Sequence, residues 1–445
     1  MPQLFGTDGV RGRAGEYPLD RQTVARLGAA LVRAMRVADV PLRMIVGRDT
    51  RESGEWIERE LARGARSAGA TVTSAGVIPT PAIAYVTREM DFDAGIAISA
   101  SHNPFHDNGI KVFSGRGEKF TPELEREVEA IVAAQGWAVP PSADAHVAAL
   151  DVADAYLAHA RLSLPDPERL GRMRIVLDTA NGAMTTVAPR LFSELGFDVQ
   201  LVGASPDGRN INLDCGSTHP QSLARAVRAA GARLGVAFDG DGDRAIFVDA
   251  NGAIVDGDAV LLMCSRQMKA AGRLHGNAVA ATVMSNIGLE LALKASGIEM
   301  LRCPVGDKYV MEEMLKRQLS IGGEQSGHII FSDHLFTGDG IATALNVLRV
   351  MAETGRELAD LASELVTYPK VLINVAVRER KDLTSVPAVR QAMARVEDRL
   401  AGHGRLLVRY SGTEPLLRVM IEGADQREIH AWAEEIAGIV REHLG

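Results

Sequence analysis

The sequence predicts an α/β protein: three mixed-sheet α/β domains followed by a smaller C-terminal α+β domain. Three observations point there. The chain has 445 residues and is 46% hydrophobic, enough for several cores, since single cores stop growing near ~250–300 residues. Short β-branched runs alternate with longer segments of helical period three times over, as in βαβ units feeding mostly parallel sheets. After Pro369 the texture changes to strand, helix, two strands and a closing helix. The expected divisions are 1–148, 149–250, 251–366 and 367–445.

The first domain is read from a strand at Arg43–Gly47, a helix from Glu55 to Ala68, and strands at Thr71-Val72 and Gly95–Ile98. The Pro140-Pro141 pair in polar, alanine-rich surroundings is expected to end that unit. The second opens with a helix over Val152–Leu162, then a strand at Arg174–Asp178, a turn at Asn181-Gly182 and a strand at Leu234–Phe238. In the third, strand Ala278–Val283 precedes a helix from Asn286, strand Met300–Arg302 and a helix from Asp307. The last has strands at Val371–Val375, Arg405–Val408 and Leu417–Ile421, a helix from Val386 to Leu400, and the closing helix. No tandem repeat of solenoid type interrupts this pattern.

Composition narrows the function. A net charge of −8 argues against nucleic-acid binding, which shows itself as a basic face. If phosphate binds here, positive charge must be gathered locally. No stretch approaches the ~18 apolar residues of a membrane span, and the N-terminus lacks a basic patch followed by an apolar run, so a cytoplasmic protein is expected. Cys215, Cys264 and Cys303 show no paired spacing and read as reduced core thiols.

The strongest chemical signal is Asp239-Gly240-Asp241-Gly242-Asp243-Arg244, directly after an apolar strand. Glycines between alternate carboxylates let the backbone curl so that all three face one centre. An oxygen-only cage of this kind suits a hard cation, above all Mg²⁺. An EF-hand would need a glutamate at the twelfth position, which is Ala250. The bland alternative is a solvated acidic turn, but three clustered carboxylates repel one another unless something binds them.

Ile98-Ser99-Ala100-Ser101-His102-Asn103-Pro104 also follows an apolar strand, and ligands bind open α/β sheets at the carboxyl ends of strands. An ordinary Ser/Asn/Pro turn is the competing reading. Lys111 nearby is a proton carrier, a phosphate partner or a solvated strand lysine. In Gly322-Gly323-Glu324-Gln325-Ser326-Gly327-His328, glutamate and serine two apart point the same way from an extended chain, which suits vicinal hydroxyls of a sugar. His328 is either structural or functional. Arg409-Tyr410-Ser411-Gly412-Thr413-Glu414-Pro415, followed by Arg418, offers arginines, hydroxyls and backbone amides without metal ligands, either a phosphate cradle or a capped turn. Phe5-Gly6-Thr7-Asp8-Gly9-Val10-Arg11-Gly12 adds an arginine among glycines, able to balance a phosphoryl group or simply to sit in a structural turn.

Together and in this order, the five segments resemble the α-D-phosphohexomutase family along the whole chain. The resemblance implies four domains around a central cleft. It makes Ser101 the phosphorylated residue and places Mg²⁺ on Asp239, Asp241 and Asp243 with the Ser101 phosphate. Glu324, Ser326 and His328 would face the sugar. Arg409, Ser411, Gly412, Thr413 and Arg418 would clamp the phosphate that does not react. Arg11, His102, Lys111 and Arg244 would neutralise charge or relay protons. It further implies reversible transfer from phospho-Ser101 to glucosamine 6-phosphate, giving a 1,6-bisphosphate and then glucosamine 1-phosphate, a step towards UDP-N-acetylglucosamine and cell-wall precursors. Glucosamine 1,6-bisphosphate or a similar hexose bisphosphate would activate the enzyme, and a homodimer is expected. Rival readings are a member of the family acting on mannose or glucose phosphates, a metal-dependent phosphatase, and a sugar-phosphate-binding regulator. The phosphatase would want a second metal with histidine ligands that these motifs do not supply. Binding alone needs neither Ser101 nor three aspartates.

Overall fold

The computed structural model describes residues 4–36, 40–141, 143–145, 147–411 and 415–445. The chain forms two compact units, Met1–Met284 with Gly297–Glu364, and Ser285–Ser296 with Leu365–Gly445.

The first unit contains three mixed sheets. The first has strands β1 (Phe5–Gly6), β2 (Gly9–Arg13), β3 (Arg43–Arg48), β4 (Thr71–Val77), β5 (Ala94–Ile98), β6 (Asp107–Ser114) and β7 (Ala148–Ala149). Their order is β1-β2-β6-β5-β3-β4-β7. Its helices are α1 (Arg21–Met35), α2 (Gly54–Ser67), α3 (Thr80–Glu89) and α4 (Pro122–Ala133). β5, Ala-Gly-Ile-Ala-Ile, is buried at every position: β3 and β6 pair with its two edges, while α2 packs on the face of Ala94, Ile96 and Ile98 and α3 on the face of Gly95. Asp20 caps α1 by accepting from Thr23 N at 3.0 Å, which satisfies one of the free donors at a helix start.

The second sheet has β8 (Arg174–Asp178), β9 (Asp198–Val202), β10 (Leu234–Phe238), β11 (Ala245–Asp249) and β12 (Ile254–Val255) in the order β12-β11-β10-β8-β9. Helices α5 (Ala153–Arg161), α6 (Met184–Glu194) and α7 (Pro220–Ala230) accompany it. The third has β13 (Ala278–Thr282), β14 (Glu299–Cys303), β15 (Ile321–Gly323) and β16 (Ile329–Phe331) in the order β14-β13-β15-β16. With it run α8 (Gly257–Ala270), α10 (Asp307–Arg317), α11 (Gly340–Thr354) and α12 (Leu358–Ala362), while α9 (Ile287–Ala295), between β13 and β14 in the chain, falls in the second unit.

The second unit is built on β17 (Lys370–Ala376), β18 (Arg405–Tyr410) and β19 (Leu416–Glu422), an antiparallel sheet ordered β17-β19-β18. Helices α13 (Pro387–Leu400) and α14 (Gln426–Leu444) bury Val389, Val396, Ile429 and Ile436 against Val371, Leu417 and Val419. Three mixed sheets and one small antiparallel sheet are the architecture that the sequence predicts.

One local expectation needs correction. The chain does not leave the first sheet at Pro140-Pro141: Ala148 and Ala149 pair parallel with Thr73 and Ser74. The short β7 covers backbone groups that would otherwise stand open at the edge of β4. Helix α9 lies in the second compact unit, fastened there at its N-terminus. The buried Glu422 carboxylate accepts from Ile287 N at 3.1 Å and Asn286 Nδ2 at 3.4 Å, and Asn286 Oδ1 accepts from Tyr368 N at 2.9 Å. A buried carboxylate at a helix N-terminus is a strong fastening.

The three cysteines are free and buried, and burial pushes each thiol up to about 12. Among the described residues no helix is long and apolar enough to cross a membrane.

An aromatic stack links the three sheets' segments within the first unit. Tyr85 of α3 stacks on His159 of α5 with centroids 4.2 Å apart, and His159 stacks on His334 at 4.0 Å. Asp339 then receives His334 Nε2 at 3.2 Å and Tyr156 Oη at 3.0 Å. Burial, with the neighbouring His334, lowers His159 to about 4. The folded value lies below the ordinary one of about 6.5, so the folded state binds fewer protons and stability falls as pH drops from about 6.5 towards the folded value. In His159→Phe, which keeps a stacking ring without the titration, urea midpoints should fall less over that window than in the wild type. Equal slopes for both proteins would show that this histidine does not set acid stability.

Candidate active site

β5 ends at Ile98 and β10 at Phe238, and their carboxyl ends bring the serine and aspartate loops together. Ser101 is buried and adopts φ +52°, a left-handed conformation that costs a non-glycine residue roughly 1–2 kcal/mol. The surroundings hold it there. The buried Arg51 donates to the carbonyls of Ser101 (3.2 Å) and Asn103 (2.6 Å), and Asn212 Nδ2 reaches the same two oxygens at 2.9 and 3.1 Å. Arg51 is itself paired with the buried Asp49. Strain held in place by its neighbours is a mark of a functional position.

Ser101 Oγ donates to Asp239 Oδ2 at 2.5 Å and lies 3.2 Å from His102 Nδ1. The approach depends on Gly240, where a Cβ would stand 2.6 Å from the Ser101 carbonyl oxygen. Asp239, Asp241 and Asp243 are buried, and each offers an oxygen within 4.8 Å of the others. Burial, then the charges of Asp243 and Asp241, raises Asp239 well above the usual carboxylate range. Asp241 Oδ1 and Asp243 Oδ1 are buried without a hydrogen-bond partner. Buried acceptors normally have one, so three oxygen donors with two open positions fit a hard divalent cation. Thr80, at the start of α3, fixes Asp241 from outside: its amide donates to Asp241 O at 2.9 Å and its hydroxyl to Oδ2 at 2.5 Å.

Cations surround the aspartates. Lys111 Nζ donates to Asp241 Oδ2 at 2.8 Å and Asp243 Oδ2 at 2.9 Å, and lies 3.0 Å from Asp8 Oδ2. Burial opposes its charge, but the three carboxylates outweigh it and hold the ammonium well above the usual lysine range. As it stands here Lys111 is a fixed charge and a poor proton acceptor. Arg11 pairs with Asp8 and reaches Ala100 O at 3.4 Å. Arg244 N donates to Asp239 Oδ1 at 3.2 Å, while its guanidinium lies 3.8 Å from Asp243. Burial, with the charges of Arg244 and Arg11, lowers His102 to about 4, leaving it neutral at pH 7.

A cavity of about 500 Å³ opens over this cluster, lined among others by Asp8, Arg11, His102, Asp243, Arg244, Asp307, Glu324 and His328. A larger hollow of about 620 Å³ beside Tyr17, Arg26 and Arg126 holds none of these residues. Glu324 and Ser326 share a side, Ser326 Oγ donating to Glu324 Oε2 at 3.4 Å. The reason differs from the sequence expectation. The segment is a tight turn between β15 and β16, not extended chain: Gly327, at φ +90°, closes it by donating to Glu324 O at 3.0 Å. Glu324 Oε1 also accepts from Gly306 N at 3.2 Å.

His328 is buried. Gly338 N donates to its Nε2 at 3.1 Å, so Nδ1 carries the proton that faces Asp243 Oδ1, 3.6 Å away. The carboxylates of Asp243 and Asp307 favour protonation against burial and raise the ring above its ordinary value. The amide at Nε2 opposes a second proton, and the hydrogen-bond geometry makes the neutral Nδ1–H tautomer the better description.

In the second unit Arg409 and Arg418 stand directly opposite across the β18–β19 ladder. Burial, then the charge of Arg418, lowers Arg409 below the usual arginine range. Like charges opposed on a ladder repel, and an anion between them would remove the cost. Ser411 is buried, and Arg380 donates to its carbonyl at 2.7 Å. Gly412 and Thr413 lie outside the described residues.

Sequence reasoning gave no role to Asp8, Asp49, Arg51, Thr80, Lys119, Asn212 or Asp307. The Asp49 and Arg51 pair follows the end of β3, so strand-end reasoning applied there would have found it. Lys119 has no such signal.

The fold and this serine–aspartate site define a phosphoryl-transfer protein, and the chain belongs to the phosphoglucomutase/phosphomannomutase family. Alpha/beta/alpha domains I, II and III of that family match residues 2–138, 154–252 and 256–368, and its C-terminal domain matches 372–439. The phosphoglucosamine mutase of Solibacter usitatus (strain Ellin6076) is 48% identical over 443 residues, 99% of each chain. That of Geobacter sp. (strain M21) is 46% identical over 449 residues, covering 100% of this chain and 99% of its own. A phosphoglucomutase/phosphomannomutase family protein from Burkholderia thailandensis shares the fold with TM-score 0.80 at 23% identity, covering 99% of this chain and 97% of its own. Aspergillus fumigatus N-acetylphosphoglucosamine mutase, solved with GlcNAc-6P and magnesium, gives TM-score 0.67 at 18% identity, covering 99% and 95%.

If the aspartate loop is the cation site, Asp241→Asn should weaken divalent-cation binding in titration calorimetry by about tenfold or more. Unchanged affinity would place the cation elsewhere.

Proposed function

We propose that this protein is an isomerase that interconverts glucosamine 6-phosphate and glucosamine 1-phosphate by phosphoryl transfer through Ser101. The observation that carries the reading is the hydroxyl of a strained, buried serine 2.5 Å from Asp239 in an all-oxygen cluster. Full-length identity of 45–48% to phosphoglucosamine mutases supports the amino sugar.

In this reading Ser101 carries the phosphoryl group, and Asp239, Asp241 and Asp243 with that group hold Mg²⁺. Mg²⁺ bound there neutralises charge on the transferring group. The remaining work belongs to side chains. Lys111, Arg11 and Arg244 supply fixed positive charge towards Ser101, which lowers the barrier without reorganisation when charge shifts. His102 Nδ1, 3.2 Å from Ser101 Oγ, exchanges a proton with that oxygen. Glu324, Ser326 and His328 face the sugar hydroxyls and fix which oxygen meets Ser101. Arg409, Ser411, Gly412, Thr413 and Arg418 hold the phosphate that does not react, using charge and amides without a metal. One phosphate is thereby cleavable and the other merely held, as a 1,6-bisphosphate that turns around requires.

A hexose bisphosphate, glucosamine 1,6-bisphosphate or a close analogue, restores enzyme that has lost its phosphate. The functional unit is a cytoplasmic homodimer, and the four domains divide at 1–148, 149–250, 251–366 and 367–445.

A coupled-enzyme assay with Mg²⁺ and trace hexose 1,6-bisphosphate tests the reading. Glucosamine 6-phosphate should be preferred over glucose and mannose phosphates, and Ser101→Ala should lose on the order of 10³-fold or more. Preference for glucose or mannose would change the sugar, and full activity in Ser101→Ala would overturn the mechanism. Arg409→Ala should raise KM about tenfold with a smaller effect on kcat, the pattern of lost uniform binding.

A further inference from the structure

A chain of alternating charges, Asp243–Lys111–Asp8–Lys119–Asp307, runs beneath the cavity, and Lys119 extends it without having a part in the mechanism above. Lys111 Nζ bridges Asp243 Oδ2 (2.9 Å) and Asp8 Oδ2 (3.0 Å). Lys119 Nζ then donates to Asp8 Oδ1 at 2.6 Å and to Asp307 Oδ2. The neutral His328 ring sits between the two ends of the chain, its Nε2 3.7 Å from Asp307 Oδ2 and its Nδ1 3.6 Å from Asp243 Oδ1. The Lys119 side chain is only 11% exposed. A buried ammonium is tolerated when carboxylates surround it, and here they hold it above the usual lysine range despite burial.

The arrangement gives Lys111 two places to stand. One is on Asp241 and Asp243, the oxygens a divalent cation would use; the other is on Asp8. A cation entering the cluster must displace the ammonium from Asp241 and Asp243, and Asp8 is the acceptor within reach. Asp8 serves only while its carboxylate keeps its orientation. Arg11 and Lys111 share Oδ2, so Oδ1 needs its own anchor, and Lys119 is that anchor.

We infer that Lys119 is a positioning residue that fixes Asp8 as the alternative seat for Lys111, so that a divalent cation can occupy Asp241 and Asp243. The inference rests on the functional reading above only in taking the three aspartates as the cation's ligands. Simple charge arithmetic makes the opposite prediction: deleting a nearby positive charge should tighten cation binding. If Lys119 acts by position, its loss lets Asp8 turn, Lys111 stays on Asp241 and Asp243, and cation binding weakens. The sign of the change separates the two.

The test uses the full-length, dephosphorylated protein and Mn²⁺, with free Mn²⁺ read by electron paramagnetic resonance. Lys119→Met should raise the Mn²⁺ Kd about tenfold, in the range seen when groups behind metal ligands are removed. Lys119→Arg should stay within about threefold of wild type. Adding Asp8→Asn to Lys119→Met should cost less than Asp8→Asn does alone, because both act through one contact. Equal or tighter Mn²⁺ binding in Lys119→Met overturns the inference. If Lys119→Met does not fold, Lys119→Gln is read by the same two outcomes. A wild type that binds no Mn²⁺, or an Asp241→Asn variant that binds it as well as wild type, defeats the functional reading and this inference together; equal or tighter Mn²⁺ binding in Lys119→Met defeats the inference alone.

Discussion

The first unit is organised around one difficulty: three carboxylates buried within 4.8 Å of one another at the end of a strand. In water such a cluster is only mildly unfavourable, but in a protein interior both the loss of hydration and the mutual repulsion grow several-fold. The chain does not relieve the conflict by exposing the loop. It brings Lys111 from the first sheet onto two of the aspartates, sets Asp239 against a serine hydroxyl and a backbone amide, and leaves two oxygens without hydrogen bonds. The result is a cluster kept short of balance, open to a cation.

This demand explains much of the surrounding architecture. Lys111 projects from β6, which pairs antiparallel with β5, so the strand that leads into the serine loop also places the cation beside it. β10 and β5 both finish at the same region, where their loops meet by the close approach of Gly240 to the Ser101 carbonyl. α3 begins at Thr80, whose amide and hydroxyl hold the middle aspartate. Gly340, the first residue of α11, donates to Gly242 O at 2.9 Å, so the third sheet's long helix also starts on the aspartate loop. Helices thus begin, and strands end, where the carboxylates need support, as open α/β sheets permit.

The sequence made the strands and the aspartate loop legible for a physical reason. Apolar runs such as Leu234–Phe238 must be buried, and Asp-Gly-Asp-Gly-Asp immediately after one has no other economical use. The loop's partners were harder to see. Lys111 and Ser101 are a strand lysine and a turn serine until the fold sets them near Asp241 and Asp239, 130 and 138 residues further along the chain. Lys119 is further out of sight, because Gly-Glu-Lys-Phe reads as an exposed hairpin end, and only the fold puts Asp8 and Asp307 on either side of it. The Glu324 and Ser326 pairing was anticipated for the wrong backbone: the tight turn closed by Gly327 produces the same alignment that alternation along a strand would have given. The partner of helix α9 was equally hidden, since the carboxylate that holds its N-terminus belongs to Glu422, 135 residues beyond Ile287.

The two units gather like charges by the same principle with opposite sign. In the first, carboxylates are forced together by loop geometry, and burial, then the charges of the other two, pushes one of them out of its usual ionisation range. In the second, β-sheet register sets Arg409 opposite Arg418, and burial with that neighbour makes the Arg409 charge harder to keep. Each arrangement costs the folded protein something when its ligand is absent, and each recovers that cost when a counter-charge enters. A site that fully balanced its own charges would gain little from binding, because the ligand would have to break ion pairs as good as those it makes. Carboxylates gathered in one unit and arginines set face to face in the other are each placed where a counter-charge would relieve their repulsion.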